Sequence, residues 1–154
     1  MIKKLWNFVG RVGFWCAWPA LFMYLGRSER TRVLIICVDQ VVVLKNWLGN
    51  GQWGLPGGGL HKGEDSRLGA IREVHEETGI SLQPAQLQPL MHEIYRDKGF
   101  RFSCHYFVAE LPKQQALRPQ LLEVSDLQWL SRPRFSRKNA AQDVMRALSA
   151  YAGE

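Results

Sequence analysis

The sequence predicts an α/β fold, with a mixed β-sheet held between helices and an N-terminal helical arm in front of it. Three observations predict it. Two β-branched runs sit close together at Val33–Val38 and Val41–Leu44. A helical stretch with start and stop signals runs to Thr78, and Gly79 follows it. Further strand-like runs then lead into an amphipathic tail, so strands and helices alternate in blocks.

The chain divides into an arm, residues 1–31, and a domain, residues 32–154. In the arm, Lys3 and Lys4 precede an apolar run rich in Trp, Phe and Leu, the order found in signal peptides. Asn7, Arg11 and Pro19 interrupt that run, and no small-residue cleavage site follows. Its part Val12–Leu25, free of charged residues, is 14 residues long, short of the roughly 20 that span a bilayer. Two readings stay open. Trp6, Phe14, Trp15, Trp18 and Phe22 pack on the domain as a helical arm, or residues 1–26 lie in a membrane interface with Lys3, Lys4 and Arg11. The packed arm is the favoured one, and Arg27–Arg32 is the junction.

The elements of the domain follow in order. Asp39-Gln40 reads as a tight turn that makes a hairpin of the first two strands. Residues 46–59 hold six glycines, a proline and two tryptophans, which marks a structured loop. Asp65 or Ser66 caps the helix, because a short oxygen-bearing side chain accepts from the open amides of the first turn. Gly79 ends it, since glycine enters the left-handed region at no steric cost. Leu87–Tyr95 contains a strand, and Phe100–Leu111 is a longer one paired with it across Arg96–Gly99. A short strand is expected at Leu127–Leu130. In Lys138–Ala152, the residues Ala141, Val144, Met145, Leu148 and Tyr151 recur at helical spacing.

Composition sets outer bounds. With 154 residues, 46% hydrophobic and 22% charged, the chain is globular and long enough for one core. The net charge of +6 favours anionic partners without choosing among phosphates, nucleic acid and acidic membranes. Cys16, Cys37 and Cys104 lack metal-ligand spacing and read as buried thiols, consistent with a reducing, cytoplasmic setting.

The chemistry lies in the glycine loop and the helix after it. At about 100° per residue, Glu73, Glu76 and Glu77 share one arc of the helix, while Leu68, Ile71, Val74 and Thr78 take the opposite face. Like charges at such spacing repel by a few tenths of a kcal/mol per pair, and Arg72 offsets only part of it. A solvated acidic face is the ordinary explanation. Here Gly57, Gly58 and Gly59 converge on the same face, and hard carboxylate oxygens in a cluster suit Mg²⁺ or Mn²⁺, which also bind phosphate oxygens.

Gly58, five residues, Glu64, seven residues, then Arg72-Glu73-Val74-His75-Glu76-Glu77-Thr78-Gly79-Ile80 matches every defined position of the Nudix box, and Leu55-Pro56-Gly57-Gly58-Gly59 before it is also typical of that family. By these residues the chain resembles a Nudix hydrolase from about Arg32 to Leu130. The resemblance implies an α/β/α sandwich with the box as loop–helix–loop. It implies a metal-dependent hydrolase that cleaves a diphosphate bond in a nucleoside diphosphate linked to another group, such as a nucleotide sugar, ADP-ribose, a dinucleoside polyphosphate or a nucleoside triphosphate. On this resemblance Glu73 and Glu77 are the leading ligands of Mg²⁺ or Mn²⁺, and Glu76 is a third ligand or the base. Arg72 orients a core glutamate, Glu64 supports the metal directly or through water, and Gly58 adds a backbone carbonyl. Gly57, Gly58, Gly59 and Trp53 form the expected substrate contacts.

Outside the box, Glu123 stands six residues before Trp129, as in a recurring family segment, and is an alternative ligand or base. Substrate identity is faintly marked. Tyr95 lies near a tyrosine position of dinucleoside polyphosphate hydrolases, but a strand-end tyrosine is more often packing. Trp47, Trp53 and Phe100 are candidates for base stacking or for the core. Arg132, Arg134, Arg137 and Lys138 form a basic cluster that is more simply a solvated face than an RNA contact. A homodimer stays open. The rival readings are a nucleotide-sensing Nudix module without catalysis and a membrane-surface hydrolase of a lipid-linked diphosphate.

Overall fold

A computed structural model of the chain describes residues 29–47, 50–97, 100–118 and 124–153. The N-terminal arm through residue 28 and Glu123 lie outside the described residues, as do the side chains of Tyr95 and Phe100. The elements are β1 (Glu29–Cys37), β2 (Gln40–Asn46), α1 (Ser66–Thr78), β3 (Gln88–Asp97), β4 (Phe100–Glu110), β5 (Val124–Ser131) and α2 (Gln142–Ala152). The strands form one sheet in the order β3-β4-β1-β2-β5. β1 and β4 run parallel, and the other neighbours are antiparallel. The expected mixed sheet between helices is therefore present.

Strand alternation assigns the two faces. Val33, Ile35 and Cys37 of β1 join Phe107 and Ala109 of β4 under Ala70 and Val74 of α1. Leu34 and Ile36 join Tyr106 and Val108 under Val144 and Ala147 of α2. Each such large side chain, fully buried, contributes roughly 1.5–3 kcal/mol. β1 is apolar on both faces because it lies in the middle of the sheet. Cys37 and Cys104 are buried and free.

β1 and β2 pair only beside their turn, at Ile36↔Val41 and Cys37↔Gln40. Beyond that they separate, and the glycine loop fills the gap. Val33 N donates to Pro56 O and Thr31 N to Gly58 O, each at 2.9 Å, and Leu60 N donates to Glu29 O at 2.9 Å. On the other side, Leu44 and Gly54 exchange both backbone hydrogen bonds. Backbone polar groups that the splayed strands would leave open are thus satisfied by the loop.

Several expectations need correction. The hairpin turn is Val38-Asp39, not Asp39-Gln40, since Gln40 already pairs with Cys37. Val38 takes φ 57°, the positive value that primed hairpin turns require at their first central position. A β-branched residue is costly there, which is why the sequence conceals the turn. Arg132 holds it, donating from its amide to Asp39 O at 2.9 Å and from Nη2 to Val38 O at 3.0 Å. β1 starts at Glu29 rather than Val33 because its parallel partner continues to Ser103. β5 starts at Val124, opposite Asn46, rather than at Leu127. α2 starts only at Gln142, because the backbone before it is used against Trp53, which accepts from Ala141 N and donates to Asn139 O. Leu68, placed on the packing face of α1 by its spacing, is 54% exposed. Gly69 is buried instead, and a Cβ there would run into the Leu60 side chain.

Candidate active site

α1 is built to hold its carboxylates against the loop. Asp65 caps it, accepting from Arg67 N at 3.0 Å and Leu68 N at 3.1 Å, and Gly79 closes it at φ 73°. Both ends of the expected helix are where the sequence puts them. Between them the glutamates point three ways.

Glu77 turns inward and is 5% exposed. Its Oε2 accepts from Gly57 N at 2.8 Å, so the carboxylate pins the loop to the helix. Gly57 can be only glycine: φ is 135°, and a Cβ would strike the Thr31 backbone. Glu73 lies against Gly58, where a Cβ would strike its carboxylate. Glu76 is the outermost, with its side chain 46% exposed.

Arg72 joins these parts. Its Nε and Nη2 each donate to Glu64 at 2.9 Å in a two-pronged contact. Its Nη1 donates to Glu73 at 2.8 Å and to Glu76 at 3.2 Å, and Nη2 also reaches Gly59 O at 3.2 Å. Such charge-assisted, planar contacts fix orientation as well as charge. The Arg72 hydrogen bonds, helped by His61 N, hold the Glu64 carboxyl down at about 2. The same partners, Glu64 first and then Glu73, push the Arg72 guanidinium further above its ordinary value. Both oxygens of Glu64 are therefore occupied within the protein.

The loop has a second anchor at Arg32. Its Nε donates to Asp143 Oδ2 at 3.1 Å and its Nη1 to Thr31 O at 3.0 Å, and Nη1 also bonds Gly57 O. Asp143, in the first turn of α2, accepts from Leu55 N at 3.3 Å as well. Neither residue was singled out from the sequence. They stand 111 positions apart, and no local pattern links them.

The remaining candidates separate. Trp53 is 9% exposed, packs in the α2-side core, and has Lys45 Nζ 4.4 Å above its ring. Trp47 is 66% exposed. Gly58 O accepts from Thr31 N, which leaves its second lone pair for another partner. A cavity of about 510 Å³ lies between residues 65–67 and strands β3 and β4, and none of the three α1 glutamates lines it. Burial pushes the Cys104 thiol up to about 11, so it is no thiolate nucleophile.

By type, the donors around the loop fit a hard divalent cation: carboxylates, a backbone carbonyl, and a Gly58 whose missing Cβ makes room for Glu73. Among the described residues, no three acidic, imidazole or thiol groups already stand together at ligating separation. Arg72 occupies two of the carboxylates that a cation would share.

Comparison with known proteins identifies the family and the fold. The family model described as NUDIX domain matches residues 27–150. Nudix hydrolase 10 of Arabidopsis thaliana is 32% identical over 111 residues, which is 69% of this chain and 39% of that protein. The chain thus spans well under half the length of that relative. A MutT NUDIX hydrolase from Burkholderia pseudomallei superposes with a TM-score of 0.71 at 20% identity, covering 80% of this chain and 97% of the other. The NUDIX domain of Shewanella oneidensis NrtR, complexed with ADP ribose, gives 0.72 at 18% identity, covering 82% and 87%. With a family match over most of its length and a loop and helix that assemble residue by residue, this chain belongs to the Nudix hydrolase family.

Proposed function

We propose that the chain hydrolyses a diphosphate linkage in a nucleoside diphosphate joined to another group, with Mg²⁺ or Mn²⁺ as cofactor. One observation carries the reading: the glycine loop is tied to the carboxylate face of α1 through Gly57 N to Glu77 and Arg72 to Glu64 and Glu73. A binding module has no need to hold so many carboxylates against a backbone that phosphate approaches.

Glu73 and Glu77 are the residues that would hold the cation, with Glu76 beside them and Gly58 O as a backbone donor. A cation bound there supplies charge neutralisation of the diphosphate and a more acidic water. Arg72 holds Glu73 in place, and Glu64 holds Arg72, so Glu64 acts here by positioning. The Gly57–Gly59 backbone, free of side chains, lets phosphate oxygens approach. Glu76, the most exposed of the three, would take a proton from an attacking water, with Glu123 as the alternative base.

The test is phosphate or nucleotide release over nucleotide sugars, ADP-ribose, dinucleoside polyphosphates, nucleoside triphosphates and capped RNA. A relative motivates the last arm, since an m7GpppN-mRNA hydrolase of Caenorhabditis elegans is 29% identical over 102 residues. Hydrolysis of at least one class that vanishes with EDTA and returns with Mg²⁺ or Mn²⁺ supports the reading. No turnover of any class with either cation leaves the nucleotide-sensing module in its place.

A further inference from the structure

The two arginines on one face of β1 meet different fates. Arg32 is paired, by Asp143, Thr31 O and Gly57 O. Arg30 is not. Its Nε is buried and has no hydrogen-bond partner among the described residues, and no described carboxylate pairs with it. Its guanidinium carbon Cζ lies over the Phe102 ring, 4.9 Å from the centroid. Its backbone is bridged to Gly59, at the end of the glycine loop.

A half-buried guanidinium without a counter-ion is expensive, and such groups are normally paired. Burial, and then the neighbouring positive charge of Arg32, both push the Arg30 pKa below its ordinary value. The contact with the Phe102 ring supplies no formal negative charge. A planar cation on the residue whose backbone meets the loop that admits phosphate is chemically suited to two-pronged recognition of a phosphoryl group.

We propose that Arg30 is a substrate-binding residue that clamps a phosphoryl group of the diphosphate from the side of the glycine loop opposite the glutamates, with Phe102 as the platform that orients it. This rests on the proposed diphosphate chemistry. The substrate would then be gripped between unlike halves, carboxylates with their cation on one side and Arg30 on the other. The affinity it supplies would be independent of the metal.

That independence gives the test. Calorimetric titration with α,β-methylene-ADP, a diphosphate that cannot be hydrolysed, is done in EDTA at low salt on the full chain and on Arg30→Ala. Losing a charged hydrogen-bond donor should weaken binding roughly 10- to 100-fold. Arg30→Lys should fall between the two, keeping charge but not the fork, and carries the comparison alone if Arg30→Ala does not fold. Equal affinity in wild type and variant, or binding by neither, overturns the proposal. Hydrolysis separates this from the parent reading. Binding that depends on Arg30 in a protein that turns over nothing with Mg²⁺ or Mn²⁺ keeps the clamp and discards the hydrolase. Mg²⁺-dependent turnover with the same KM in Arg30→Ala does the reverse, whereas a raised KM with kcat within about threefold supports both.

Discussion

The two helices cover opposite faces of the same sheet and bury their inner faces in different ways. α2 is an ordinary amphipathic helix: Val144 and Ala147 are buried, and Met145, Leu148 and Tyr151 pack around them. α1 buries Gly69, Ala70 and Val74, and next to them the carboxylate of Glu77 and the hydroxyl of Thr78. A helix that only had to hold the sheet would place an apolar residue where Glu77 stands, because a buried carboxylate costs several kcal/mol unless it is paired. α1 places the carboxylate where the loop meets it with the Gly57 amide. On the proposed function, packing and chemistry are divided between the helices, and the division can be tested from both ends.

The largest effect is expected from Glu77→Gln. The amide oxygen still accepts from Gly57 N, so the unfolding free energy should change by no more than about 1 kcal/mol. Metal-dependent turnover should fall by roughly 100-fold or more. Steady-state rates beside thermal melts would show this, and retained activity would remove Glu77 from the cation site. Next is Gly57→Ala, which puts a Cβ onto the Thr31 backbone at a φ that L-residues avoid. It should cost about 3 kcal/mol in urea denaturation and abolish activity with it. Asp143→Ala probes the α2 side. It leaves Arg32 without its ion pair and Leu55 N without its acceptor, so about 2–3 kcal/mol of stability should go. Turnover should drop less than tenfold, the reverse of Glu77→Gln. If Asp143→Ala instead inactivates without destabilising, the division between the helices fails.

Two smaller effects refine the comparison. Glu64 has a carboxyl held down at about 2, against an ordinary value of 4.5. A depressed carboxyl stabilises the fold above the unfolded value, and that stability is lost as pH falls. Between about pH 4.5 and 2, wild type should therefore lose more of its urea midpoint than Glu64→Gln, which has no such carboxylate to protonate. Parallel midpoint curves would show that Arg72 adds no stability through Glu64. Smallest is Val38→Gly, which relieves the positive φ of the hairpin turn and should raise stability by about 1 kcal/mol. An unchanged or lower midpoint would mean that the turn is not strained.

What the sequence allowed to be read follows the same division. α1 was legible to the residue, because caps, period and motif are all local: Asp65, Gly79 and the Glu73-Glu76-Glu77 arc each declare themselves within a few positions. The inward turn of Glu77 was less so, since periodicity groups it with Glu73 and Glu76 and only the loop above it draws it under. Leu68 shows the same limit, because its neighbour Gly69 takes the buried place for reasons of close approach rather than hydrophobicity. Arg32 and Asp143 were invisible, since their meeting depends on how β1 and α2 are laid across the sheet. The turn at Val38 was misread because β-branching argues for strand, and the register of β1 on β2 overrules it.

The glycine loop also changes how damage at this site should be read. It lies alongside β1 for several residues, with Pro56 O and Gly58 O accepting from Val33 N and Thr31 N and Leu60 N donating to Glu29 O, and so it guards an edge that would otherwise be open to other chains. Exposed strand edges template aggregation. A lesion that loosens the loop uncovers a sticky margin at the same moment that it stops the chemistry. Inactive variants mapped to residues 56–60 would then accumulate as insoluble protein, while those on the outer face of α1 would stay in solution. Where a variant partitions after lysis would distinguish the two kinds of failure before any rate is measured.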